Sequence, residues 1–227
     1  MKQTSAHQLS LHGTWCLENV KKLDGRDIAI DMTIPGDTVS ALVQERCIPD
    51  PYYGENENDC KWIGCEDWKI SREFSVDEEV LSYEHVFLSM KFVDTFASVF
   101  INEKKIGMTS NAFCAYTFDA KDVLQKGTNT IAVVFESPLD VGAHLGKTLP
   151  FPIPATQNFP QYIREANINT IRKPHCHGGW DWGITLMVSG IYESISLECR
   201  NNTAITAVTH MQKHSDGVVE LLSLIHI

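Results

Sequence analysis

With 227 residues, 21% charged and 43% hydrophobic, the chain can bury a core without disulfide or metal support and is too apolar for wholesale disorder. Its 19 Lys and Arg against 29 Asp and Glu leave a formal charge of −10. That disfavours nucleic acid and anionic membrane surfaces, which call for clustered cations.

The length suggests one full domain and part of a second. Seven cysteines (Cys16, Cys47, Cys60, Cys65, Cys114, Cys176 and Cys199) are an odd, irregularly spaced set, a poor disulfide framework. Free thiols are better tolerated in a reducing compartment. The first residues carry no apolar run of signal-peptide length, and no segment approaches the ~20 apolar residues of a membrane helix. A cytoplasmic setting is therefore the expectation, provided residue 1 is the true start.

In chain order, Thr38 to Glu45, after Pro35-Gly36-Asp37, is the one stretch with helical spacing. Val86 to Phe92 is apolar and β-prone. Phe96 to Ile101 follows, and Asn102-Glu103-Lys104-Lys105 reads as a four-residue hairpin loop before Ile106-Gly107. Ala115 to Asp119 is a short strand, Asp122 to Leu124 a helical turn, Lys126 to Asn129 a turn and Thr130 to Phe135 an apolar strand. Gly190 to Leu197 alternates apolar and polar residues, as a half-buried strand does. Many short strands with turn signals predict an all-β sandwich or barrel.

Residues 138–183 break the pattern, with six of the nine prolines. Phe151, Phe159, Tyr162, Trp180 and Trp182 give this segment too much aromatic surface for a disordered linker. It reads as an ordered loop that either presents a ligand contact or covers one end of the sandwich. The first unit is expected to span 1–200, with a boundary near Arg200-Asn201-Asn202. Residues 201–221 then begin a new unit with a strand at Ala204 to Thr209, and Asp216 to Leu221 reads as a turn entering another strand. The final six residues, Leu222-Ser223-Leu224-Ile225-His226-Ile227, match a translated transposase-type sequencing adapter. Residues 222–227 are accordingly expected to be foreign, with the natural chain continuing past Leu221 in their place.

The densest chemistry lies in His175-Cys176-His177-Gly178-Gly179-Trp180-Asp181-Trp182-Gly183. An indole face packs on the C–H side of a pyranose, and a carboxylate accepts strong hydrogen bonds from two hydroxyls. Glycines permit the tight turns that project such side chains. Residues alone leave two readings open: a sugar contact, or two core tryptophans with a turn-capping aspartate. On a strand, Trp180 and Trp182 would share a face and Asp181 would oppose them. His175-Cys176-His177 invites a metal, but no further ligands accompany it, so neither metal nor cofactor is expected. No nucleophile elbow, phosphate loop or dinucleotide fingerprint is present.

The chain resembles the N-terminal domain of the β-mannosidases of glycoside hydrolase family 2. The likeness is carried, in order, by Leu11-His12-Gly13-Thr14-Trp15, Ile34-Pro35-Gly36-Asp37-Thr38, and Asp50-Pro51-Tyr52-Tyr53-Gly54. Trp62, Trp68, Phe74, Val93-Asp94-Thr95, Asn102, Gly107, Asn111 and Phe113 continue it. Arg172-Lys173-Pro174 then leads into Gly179-Trp180-Asp181-Trp182-Gly183.

The resemblance implies a jelly-roll, galactose-binding-domain-like β-sandwich followed by the first strands of an immunoglobulin-like sandwich. A retaining barrel enzyme would follow, with both catalytic glutamates beyond residue 227. It implies sugar contact by Asp181, with Trp180 beside it and Trp182, Gly179 and Gly183 supporting the loop. The expected partners are a β-mannoside glycan and the chain's own further domains. The family usually has proline after Trp-Asp-Trp-Gly, where this chain has Ile184; losing it leaves that end of the loop less constrained. The function expected is the substrate-contacting domain of an exo-acting β-mannosidase. The alternatives are a non-catalytic carbohydrate-binding module and a sister β-galactosidase or β-glucuronidase.

Overall fold

The structure, a computed structural model, describes residues 7–151, 153, 167–179, 183–201, 205 and 207–226. Among these, thirteen strands form two packed antiparallel sheets and a separate hairpin. The strands are β1 (His7–Ser10), β2 (Gly13–Asn19), β3 (Ala29–Ile34), β4 (Gly36–Asp37), β5 (Trp68–Val76), β6 (His85–Asp94), β7 (Ala97–Ile101), β8 (Lys104–Thr109), β9 (Tyr116–Asp119), β10 (Gly127–Phe135), β11 (Gly190–Arg200), β12 (Ala207–Ser215) and β13 (Val218–His226). Four helices interrupt them: α1 (Thr38–Gln44), α2 (Asn56–Asp59), α3 (Glu78–Ser82) and α4 (Pro138–Thr148).

One sheet has the order β1-β11-β6-β9, with β4 also on β11; the other runs β3-β2-β5-β10-β7-β8. Sequence neighbours are seldom sheet neighbours: β11 returns to lie between β1 and β6, closing the sandwich with the two ends of the unit. Alternating inward side chains of both sheets, including Trp15, Leu17, Ile70, Leu88, Val99, Val133 and Ile195, fill one continuous core. The two buried indoles keep their donors satisfied: Trp15 Nε1 donates to Leu11 O and Trp68 Nε1 to Ile63 O, each at 3.0 Å. The chain is thus the all-β sandwich that the strand pattern and the resemblance imply.

The details correct several expectations. The β7–β8 hairpin turns through two residues, not four. Asn102 and Glu103 both have positive φ, 48° and 66°, the type I′ geometry whose twist matches the strands. Asn102 is held there because its Oδ1 accepts from Thr130 N at 2.9 Å and its Nδ2 donates to Val123 O. β10 begins at Gly127, inside the expected turn, because buried Asn129 satisfies its amide on Gln125 O and Gly127 O and so can pair as a strand residue.

The segment 138–183 is not loop throughout: it opens with α4. Ser137 caps this helix, its Oγ accepting from Asp140 N at 3.1 Å, and Pro138 occupies the first turn, where its missing N–H costs nothing. Of the strand expected at 204–209, Ala204 and Thr206 lie outside the described residues and Ala207 to Thr209 belong to β12; β13 continues through the final segment, paired residue for residue with β12 from Ala207↔His226 to Ser215↔Val218. β12 and β13 form a sheet of their own, and every described side chain from 208 to 224 is exposed.

Candidate functional site

Two of the sequence motifs meet in the interior. Val93-Asp94-Thr95 ends β6, and Arg172-Lys173-Pro174 begins the strap that leads back to β11. Lys173 Nζ lies 2.6 Å from Asp94 Oδ2, both side chains fully buried. The same Asp94 oxygen engages His177 Nδ1 at 2.7 Å, and Thr95 Oγ1 donates to Asp94 Oδ1. Lys173 also donates to the carbonyl of Val188, further along the strap. Thr109 Oγ1 closes the cluster by donating to Thr95 O at 2.8 Å.

The electrostatics follow from this crowding. Burial works to raise the Asp94 carboxyl, but the hydrogen bond with His177 and the charge and hydrogen bond of Lys173 outweigh it, so Asp94 sits below the usual carboxylate value. Burial pulls the Lys173 ammonium below the ordinary lysine value, against the attraction of Asp94. The His177 ring stacks on Phe92, with centroids 6.1 Å apart and planes 2° from parallel, and tilts against Tyr192 at 5.0 Å. Burial, followed by the carboxylates of Asp37 and Asp94, pushes the Tyr192 phenol well above its usual value and keeps it neutral.

The cluster grips both legs of the strap. On the outgoing leg, His175–Gly178 forms a short 3-10 turn, and Gly179 has φ 112°, a conformation that strains any residue with a Cβ. A Cβ there would stand 2.7 Å from Thr185 Oγ1, so the legs touch at this point. On the returning leg, Thr185 N donates to Glu57 Oε2 of α2 at 3.1 Å, and Ser189 O accepts from Thr38 N of α1 at 2.9 Å.

Gly179 is buried and Gly183 is an exposed bend. Trp180, Asp181 and Trp182 lie outside the described residues. Ile184, where the resemblance leads one to expect proline, is half-buried and packs against the main core. The geometry gives His177 a structural partner in Asp94, and among the described residues no group of three or more His, Cys, Asp and Glu side chains converges as metal ligands would. Among the described residues the other deeply buried carboxylate, Glu66, is taken up by the backbone N–H groups of Lys21, Leu23 and Asp67.

Sequence reasoning missed the roles of Asp94, Lys173 and His177. Asp94 and Lys173 stand 79 positions apart, and the only available signal was that both fall within short motifs of the resemblance.

Two packed antiparallel sheets around one core are the architecture of a galactose-binding-like β-sandwich domain. The family model described as "Glycosyl hydrolase 2 galactose-binding domain-like" matches residues 15–193, and the chain belongs to that family. Among curated relatives, β-mannosidase of Capra hircus is 31% identical over 199 residues, covering 87% of this chain and 22% of the relative. β-Mannosidase of Mus musculus is 30% identical over 213 residues, covering 92% and 23%.

Among solved structures, β-D-mannosidase from Dictyoglomus thermophilum superposes with TM-score 0.80 and 31% identity, over 96% of this chain and 26% of that one. A β-glucuronidase of an uncultured Clostridium sp. superposes with TM-score 0.61 at 16% identity, a likeness of fold alone. The chain thus spans about a fifth to a quarter of the length of the mannosidases it matches. Among the described residues no helix is long and apolar enough to cross a membrane.

Proposed function

We propose that this chain is the N-terminal, substrate-contacting domain of an exo-acting, retaining β-mannosidase that removes terminal non-reducing β-D-mannose from glycans. Asp181 accepts hydrogen bonds from hydroxyls of the terminal sugar and Trp180 lies beside it, while Trp182, Gly179 and Gly183 support the tip. Catalysis belongs to two glutamates on a barrel beyond residue 227, and residues 201–221 open an immunoglobulin-like sandwich between the two. The seven free thiols suit a reducing, cytoplasmic setting.

The observation that carries this reading is the Asp94–Lys173–His177 cluster. Positioning a sugar-binding carboxylate requires a rigid support. Here a fully buried ion pair, a stacked imidazole and a Lys173–Val188 tie fix both legs of the strap within a few residues of Asp181. The similarity to β-mannosidases over most of the chain supplies the choice of sugar.

The test is hydrolysis by the natural full-length protein of chromogenic β-mannoside, β-galactoside and β-glucuronide. Preference for the mannoside supports the reading. Preference for either of the others assigns the domain to a sister enzyme, and no turnover of any makes it a binding module.

A further inference from the structure

A cleft of about 560 Å3 opens beside the strap, within the size range of small-molecule sites. Its walls are α1, the loop Asp50-Pro51-Tyr52, the His175–Gly178 turn, the returning leg at Ile184 and the start of β11. The proposed function uses none of the Asp50–Tyr52 motif. That loop is braced, with Tyr52 N donating to Asp50 Oδ1 at 2.9 Å and Asn56 Nδ2 to Asp50 O at 2.8 Å. Yet Tyr52 itself is 77% exposed, so it presents an open ring face at the cleft rim.

Two further polar side chains line the same cleft, His177 and Tyr192. His177 Nδ1 is committed to Asp94, which leaves Nε2 as the ring nitrogen able to hydrogen-bond within the cleft. Nε2 makes no hydrogen bond to the described residues, and neither does the hydroxyl of Tyr192, whose ring packs against the imidazole. The neutral phenol is a donor. Asp37 and Asp50 add carboxylate acceptors, while Val39 and Ile184 supply apolar wall.

An aromatic face with a separate donor, an imidazole nitrogen and carboxylates suits a pyranose: C–H groups on one side, hydroxyls at the edge. His177 is four chain steps from Asp181 and Ile184 is three. At no more than ~3.6 Å per residue, Asp181 lies within about 14 Å and 11 Å of them, along the backbone, so neighbouring sugars of one oligosaccharide can reach both.

We propose that this cleft is a second saccharide subsite, holding the pyranose linked to the one that Asp181 contacts; it rests on the substrate-contacting reading above. Tyr52 stacks on that sugar, the Tyr192 hydroxyl donates to it and His177 Nε2 hydrogen-bonds to it.

The test uses the natural full-length protein and compares kcat/KM for a β-1,4-linked mannobiose with that for an aryl β-mannoside, in wild type, Tyr52→Ala and Tyr192→Phe. Tyr52 is exposed and Tyr192→Phe removes only a hydroxyl, so both variants are expected to fold. The subsite predicts that each variant loses about tenfold more on mannobiose than on the aryl mannoside, the worth of one stacking or hydrogen-bond contact. An equal loss on both, or none, overturns the subsite while leaving the mannosidase reading in place. Failure of the wild type to cleave either substrate overturns both.

Discussion

Lys173 Nζ meets Asp94 Oδ2 at 2.6 Å in a place where neither side chain reaches solvent, and this pair joins the end of one central strand to the strap that carries Asp181. A buried ion pair adds little net stability over an apolar pair of the same shape, but breaking it leaves a charge without a partner. Its value here is geometric: it leaves the strap one position relative to the sandwich.

Removing one partner is therefore costly. Lys173→Met takes the fully buried cation away from the Asp94 carboxylate, which keeps only His177 and Thr95, and removes a donor from the Val188 carbonyl; it is expected to destabilise the domain by about 3–5 kcal/mol. Urea unfolding followed by tryptophan fluorescence measures this, and a midpoint equal to that of wild type would show that the pair is not closed in solution.

The same pair sets an acid limit. Asp94 sits below the usual carboxylate value, so its contribution is fully present above the unfolded value of about 3.9 and is lost as pH falls through the lower folded value. Wild type is expected to exceed Asp94→Asn in unfolding midpoint at pH 6, with the difference closing below about pH 3.9. A difference that does not change between pH 6 and pH 2.5 would contradict this assignment.

Gly179 is the hinge of the outgoing leg. Gly179→Ala puts a Cβ at positive φ and 2.7 Å from Thr185 Oγ1, which is expected to cost about 1–3 kcal/mol. In the full-length protein it should lower mannoside turnover, because the strain falls two residues before Asp181. A variant as stable and as active as wild type would show that the legs do not touch there.

The β12–β13 hairpin exposes Val208, Met211, Leu221, Leu222 and Leu224 with no sheet of the sandwich paired to it. Exposed apolar strands promote edge-to-edge association. A chain ending at Arg200 is expected to remain monomeric at higher concentration than the 227-residue chain, with no loss of unfolding midpoint, as light scattering and denaturant curves would show. Earlier aggregation of the shorter chain would mean that the hairpin shields the sandwich.

Much of the sandwich was legible from alternation and turn residues: β6, β7, β9 and β11 lie close to where apolar runs and their flanking turns put them. β5, Trp68–Val76, alternates just as clearly, with Trp68, Ile70, Phe74 and Val76 facing the core. α4 was hidden by the prolines around it, although Ser137-Pro138 is itself a helix-start signal.

The two-residue form of the β7–β8 turn depends on the Asn102 side chain bonding to strand β10 and to the Lys121–Val123 turn, which no local pattern reveals. The support beneath the strap was illegible for the same reason. Asp94, Lys173 and His177 are brought together by β6 and the strap lying on one another, and nothing in their spacing announces a contact.

The most direct test of the central claim is kcat/KM of Asp181→Ala in the natural full-length protein, on an aryl β-mannoside. If Asp181 accepts two charge-assisted hydrogen bonds from the sugar, the variant falls by about 100-fold or more while its unfolding midpoint stays within error of wild type. An unchanged kcat/KM would contradict the account and leave the strap a structural cover over the end of the sandwich.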